Sequence, residues 1–190
     1  MPRPTELAGK AIGKMKGLRH GLAGHRGIMK RLAEEHGEVS ALISRCEKAD
    51  DGATRQELFT QIRLSLLAHA KAEAEVFYSR LEEFAETREL AEHGADEHHE
   101  MEDIIDRLYT MGYEGEDWAE LFDELDSSVR DHVREEEHEL FDLAAEVLTA
   151  NELDNLEKQY IAAKNMELHR LQQWAGTLRR ALRGAARGSH

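Results

Sequence analysis

Four stretches of this chain carry apolar residues at alternating steps of three and four, which restricts each of them to a helix that buries one face. The first is marked by Met29, Leu32, Val39 and Ile43. The second carries Leu58, Ile62, Leu66, Phe77, Leu81 and Phe84, the third Met101, Ile105 and Leu108. The fourth carries Trp118, Phe122, Leu125, Val129, Leu140 and Leu143. No stretch offers a strand, and two prolines with 6% aromatic residues argue against a sandwich or barrel. Turn signals separate the stripes. Asp50-Asp51-Gly52 ends the first, and Thr54 with Glu57 reads as a capping box for the second. Thr87 to Ala95 reads as a break or kinked connection. Met111 to Glu116 reads as a loop before an N-cap at Asp117. After an interruption at Asn151, a fifth helix is predicted from about Leu153 to Arg183, with Tyr160, Leu168, Leu171, Trp174 and Leu178 apolar.

Amphipathic helices joined by short loops predict an all-α fold, an antiparallel up-down-up-down four-helix bundle over residues 25–150. Residues 1–24 are basic, with Gly9, Gly13, Gly17 and Gly21 at every fourth position, and read as an N-terminal arm. Residues 151–190 form an additional C-terminal helix and basic tail, which packs on the bundle or makes a homo-oligomer contact.

Charge narrows the partners. The chain has 25 basic and 39 acidic residues, a net charge of −14. Residues 1–31 hold eight Lys or Arg against Glu6, and the five charged residues after His169 are all Arg, so the middle is strongly acidic. Such a body repels nucleic acid, which is not expected as a partner. No apolar run reaches the ~18 residues of a membrane span, and no secretory signal is evident. Cys46 is the single cysteine, which excludes a disulfide framework, a thiolate zinc site and an iron–sulfur cluster held by this chain only. A cytoplasmic location is expected.

The chemistry lies where ionisable residues interrupt the apolar stripes: His36, His69 with Glu73, His98, and His132 with Glu136. A buried, unpaired imidazole or carboxylate costs several kcal/mol, on the order of a large fraction of domain stability. Six of them on four inward faces can satisfy one another through a shared cation. Their depths match. His36 precedes Asp50 by about as many residues as His69 follows Thr54, and His98 and His132 repeat this relation around Gly112 and Asp117. The signature H-x-x-x-E occurs twice, at His69–Glu73 and His132–Glu136, and an i,i+4 spacing puts both side chains on one face. Imidazole and carboxylate ligands without thiolate suit iron or manganese and do not exclude zinc. His99 and His138 lie among acidic residues and are expected in solvent, as are Glu75, Glu135 and Glu137.

With these strings in view — Glu35-His36, HAKAEAEVFY from His69, EHHEMEDII from Glu97 and HVREEEHELF from His132 — the chain resembles hemerythrin-like proteins of the HHE cation-binding class over about residues 25–148. The resemblance implies a non-haem di-iron centre with two iron ions. His36, His69, His98 and His132 would be its imidazole ligands, and Glu73 and Glu136 its bridging carboxylates. Oxygen carriers of this class place a further histidine one turn before the third-helix ligand. Here that position is Gly94, with His93 one residue away. The departure favours a more reactive or labile centre over reversible oxygen carriage. The expected function is binding of, or reaction with, oxygen, peroxide or nitric oxide. The alternative is an iron-handling or iron-sensing module in which metal occupancy is itself the signal.

Overall fold

The computed structural model describes residues 25–187, and within them the side chains through Trp174 and that of Thr177; the arm proposed for residues 1–24 and the side chain of Leu178 lie outside the described residues. Among the described residues there is no strand. Five long helices build the described residues: α1 (Gly27–Glu47), α2 (Gly52–Glu73), α3 (Arg88–Thr110), α4 (Glu116–Glu135) and α5 (Ala150–Arg187). Helix α2 runs on through a π-helical turn, Ala74–Tyr78, into Ser79–Leu81. Helix α4 runs on through a second, Glu136–Leu140, into Phe141–Val147. Helix α5 packs on α1 and α2, so the fifth helix is an integral part of the bundle. No described helix is long and apolar enough to cross a membrane.

Several boundaries differ from the sequence reading, each for a local reason. Helix α2 begins at Gly52, because Asp51 caps it by accepting 2.8 Å hydrogen bonds from Thr54 N and Thr54 Oγ1. Thr54 is therefore the recipient of the cap rather than its source. Gly115, with φ +96°, is the N-cap of α4, and Asp117 lies inside its first turn. The break before α5 falls at Thr149, not Asn151. Thr149 N donates to Glu152 Oε2 while Glu152 N donates to Thr149 Oγ1, a reciprocal capping box. Thr87 is buried, and its hydroxyl donates to Leu81 O, which closes the end of the second helical run; α3 is already regular at Gly94.

The stripes on α1 and α3 are buried as expected, and the core they build has two parts. One cluster gathers Leu32, Phe77, Leu81, Phe141 and Tyr160. The other gathers Val39, Ile43, Phe59, Ile105, Trp118 and Phe122. In α1, His36 stands between Leu32 of the first cluster and Val39 of the second. The ionisable residues thus occupy the level at which two apolar cores meet.

Candidate metal centre

The six predicted residues converge. His36, His69, Glu73, His98, His132 and Glu136 are all under 8% exposed, and Glu73 is fully buried. Two triads can each place one ligand atom apiece within 4.8 Å of the others: His69, Glu73 and His98, and Glu73, His132 and Glu136. Glu73 belongs to both. His69 Nε2 lies 3.0 Å and His98 Nε2 3.6 Å from Glu73 Oε2, while His36 Nε2 lies 3.3 Å from Glu136 Oε2. His98 Nε2 and His132 Nε2 face each other at 3.0 Å.

Both carboxylates of the H-x-x-x-E pairs sit at π-helical turns, since Glu73 directly precedes one and Glu136 opens the other. A π turn adds a residue to the local repeat and turns the following side chains through about one position. The consequence is visible in burial. Tyr78 is buried beside Phe77, and Phe141 and Ala144 face the core where Leu143 was expected; Leu143 is only half-buried.

Carboxylates brace three of the imidazoles from behind. His36 Nδ1 is 2.8 Å from Glu137 Oε1, His69 Nδ1 is 3.1 Å from Glu35 Oε2, and His132 Nδ1 is 2.8 Å from Glu97 Oε2. Each carboxylate reaches across from a neighbouring helical run. Such a partner fixes the ring tautomer and leaves Nε2 as the free lone pair that faces the centre. Glu137, expected in solvent, is thus half-buried and engaged. Glu35 and Glu97 stand one residue before His36 and His98. Their repeated Glu-His order was the available signal, but one-dimensional reading could not say that each serves a histidine on a different helix.

Helix α5 adds a second tier. Tyr160 Oη donates to Glu35 Oε2 at 2.5 Å and lies 2.9 Å from His69 Nδ1, and Lys164 Nζ donates to the same Glu35 oxygen at 2.5 Å. Burial alone would raise the Glu35 carboxyl, but the hydrogen bonds from His69, Lys164 and Tyr160 outweigh it and hold it at about 2. The central carboxyls lack such a set of donors; Glu136 accepts one longer hydrogen bond, 3.3 Å, from Tyr78 Oη. Burial pushes Glu73 up to about 7; burial, followed by the charge of Glu73, pushes Glu136 up to about 8. Burial, with the charge of His132 next, holds His98 well below its ordinary value and therefore neutral.

The residue expected to be absent at Gly94 is replaced in space by another. Gly94 is buried, and a β-carbon there would lie 2.7 Å from Tyr78 Oη. Tyr78 donates to Glu136 Oε1 at 3.3 Å and stacks on His98 with ring centroids 5.5 Å apart. His93 is exposed and points to Glu97 and Glu135, outside both central triads. His99 and His138 are exposed as expected.

The residues fit a cation. Glu73 Oε1 and Oε2, Glu136 Oε2, His36 Nε2 and His98 Nδ1 are buried and make no hydrogen bond. Buried polar atoms are rarely left so, and the orphaned oxygens cluster between imidazoles whose lone pairs converge. Comparison with known proteins agrees. The hemerythrin HHE cation binding domain family matches residues 18–144. A protein of Nostoc sp. (strain PCC 7120 / SAG 25.82 / UTEX 2576), described as a DNA nickase, is 31% identical over 147 residues, 76% of this chain and 41% of the relative. The chain thus spans about two fifths of that relative's length. No solved structure matches.

Proposed function

This chain belongs to the hemerythrin HHE cation-binding family, and we propose on that premise that it is a non-haem di-iron protein which binds, or reacts with, oxygen, peroxide or nitric oxide inside an up-down-up-down four-helix bundle. One observation carries the reading: Glu73 belongs to both buried triads, so one carboxylate can serve two cations. His36, His69, His98 and His132 would hold the ions through Nε2, together with the carboxylates of Glu73 and Glu136. Iron held there would supply a redox-active Lewis acid for a small ligand. The chain's own residues do the rest. Glu137, Glu35 and Glu97 hold three imidazoles in place, and Tyr78 Oη donates to Glu136 Oε1. The two apolar clusters flank the centre on either side along the bundle.

The iron-handling alternative rests on the same ligands, and the two separate by stoichiometry. Iron loaded anaerobically should reach two per chain and stop, and exposure to nitric oxide or air should then develop visible charge-transfer bands. Uptake far beyond two ions per chain without such bands would favour storage. Strand nicking is named for a relative much longer than this chain; the acidic bundle repels a phosphate backbone, and we place nucleic acid outside its partners. The lone buried Cys46, whose thiol burial pushes up to about 11, suits a reducing compartment. Self-association through the exposed Met166 and Trp174 of α5 belongs to the same proposal, and sedimentation tests it.

A further inference from the structure

A cavity of about 210 Å³, lined from all five long helices, opens from the histidines to the surface. Its inner end is the face of the centre formed by His36, His69, His98 and His132. Its middle is apolar, walled by Val39, Leu67, Ala95, Met101, Ile105 and Val129. Its rim is charged, with exposed Lys71, Glu102 and Arg170 and a half-buried Glu167.

Three features fix what such a space accepts. The first is size. An engineered apolar cavity of about 150 Å³ takes benzene, whereas a diatomic gas needs far less room. Cations between the imidazoles would occupy only the inner end. The second is the wall. Between rim and histidines the named walls offer methyl, methylene and thioether groups, so an ionised guest would lose its hydration without repayment. The third is the rim. Arg170 Nε and Nη2 both donate to Glu167, at 2.7 and 2.5 Å, so its charge is already matched and does not select an anion.

We infer that this cavity is a binding site for a neutral, apolar organic molecule of about benzene size, held against the histidine face of the centre. The inference rests on the proposed di-metal reading only for what lies at its inner end. It extends the reactants that can stand beside the centre from diatomic gases and peroxide to small neutral organic compounds. It also gives helix α5 a place in selection, because Leu171, Glu167 and Arg170 form one side of the entrance.

The test uses the full chain loaded with redox-inert zinc, so that binding is read apart from reactivity. Fluorobenzene is titrated and followed by its fluorine resonance. Saturable binding is expected, and Ala95→Phe, which fills the apolar middle, should weaken it by about tenfold or more while metal content stays the same. In crystals of the parent chain soaked in bromobenzene, bromine should appear between Ala95, Met101 and Val129; this measurement decides the matter if Ala95→Phe does not fold. No saturation up to the solubility limit, or bromine only elsewhere, would overturn the inference. Nitric oxide binding to the iron-loaded chain is measured in parallel. Gas binding without guest binding sinks the cavity alone, and guest binding without gas binding sinks the small-ligand reading alone.

Discussion

At Gly94 the backbone of α3 passes so close to Tyr78 that a single methyl group would lie 2.7 Å from the phenol oxygen and 3.0 Å from Cζ. The ring is stacked on His98 and fully enclosed, so it cannot swing aside. Gly94→Ala should therefore cost about 1–3 kcal/mol, as overpacking does, and Gly94→His more. Tyr78→Ala should cost less in the Gly94→His chain than in the parent, because the new side chain takes up part of the vacated space. Thermal unfolding of the parent, the single variants and the double variant checks this, and a Gly94→His chain as stable as the parent would show that Tyr78 does not hold that place. The six central residues were legible in the sequence because each breaks an apolar stripe in phase. Their braces were not. Glu35 and Glu97 each precede a histidine, but nothing in one dimension says which histidine they serve, and Glu137 sits in a run of glutamates beside the exposed His138. What makes them different is a histidine on another helix.

Helix α5 reaches the centre through one carboxylate. Glu35 is held at once by His69, Tyr160 and Lys164, so removing either α5 donor loosens the brace on His69. Tyr160→Phe and Lys164→Met should each lower metal affinity by about 10–100-fold, the usual effect of losing an outer partner of a ligating histidine, with helix content unchanged. Competition against a chelator of known affinity measures it; equal affinity in parent and variants would reduce α5 to packing alone. The same helix meets α1 closely. Gly27, with φ +52°, has Leu153 O 2.5 Å from where its β-carbon would be, so only glycine fits that crossing. Element existence was readable from the three-and-four periodicity, but a uniform period cannot register a π turn. After Glu73 and Glu136 the register slips, which is why Tyr78 and Phe141 went unforeseen and Leu143 was placed inward. The fifth helix was foreseen; that its Tyr160 and Lys164 would enter the site was not, since neither residue type nor spacing on α5 resembles the other four stripes.

Across the whole molecule, a charged layer separates two apolar cores, and its protonation ties stability to pH. Without metal, Glu73 and Glu136 titrate at about 7 and about 8, above the ordinary 4.5. The folded chain therefore keeps protons that the unfolded chain has released. This contribution is fully present below about 4.5 and is lost as pH rises through 7 and 8, by up to about 1.4 kcal/mol per pH unit for each carboxyl. His98, held neutral by burial, acts oppositely and only below its ordinary 6.5. Bound cations need deprotonated ligands, so their affinity rises with pH. Between pH ~6.5 and ~8.5 the melting temperatures of metal-stripped and metal-loaded protein should diverge; a constant gap would mean that these carboxyls do not hold the metal. The most direct test of the shared centre is the metal content of the iron-loaded parent chain and of Glu73→Gln, counted by native mass spectrometry. Two ions per parent chain are expected, and loss of both in Glu73→Gln, because its carboxylate serves both triads. One ion or none in the parent, or two retained in Glu73→Gln, would contradict a site built around that residue.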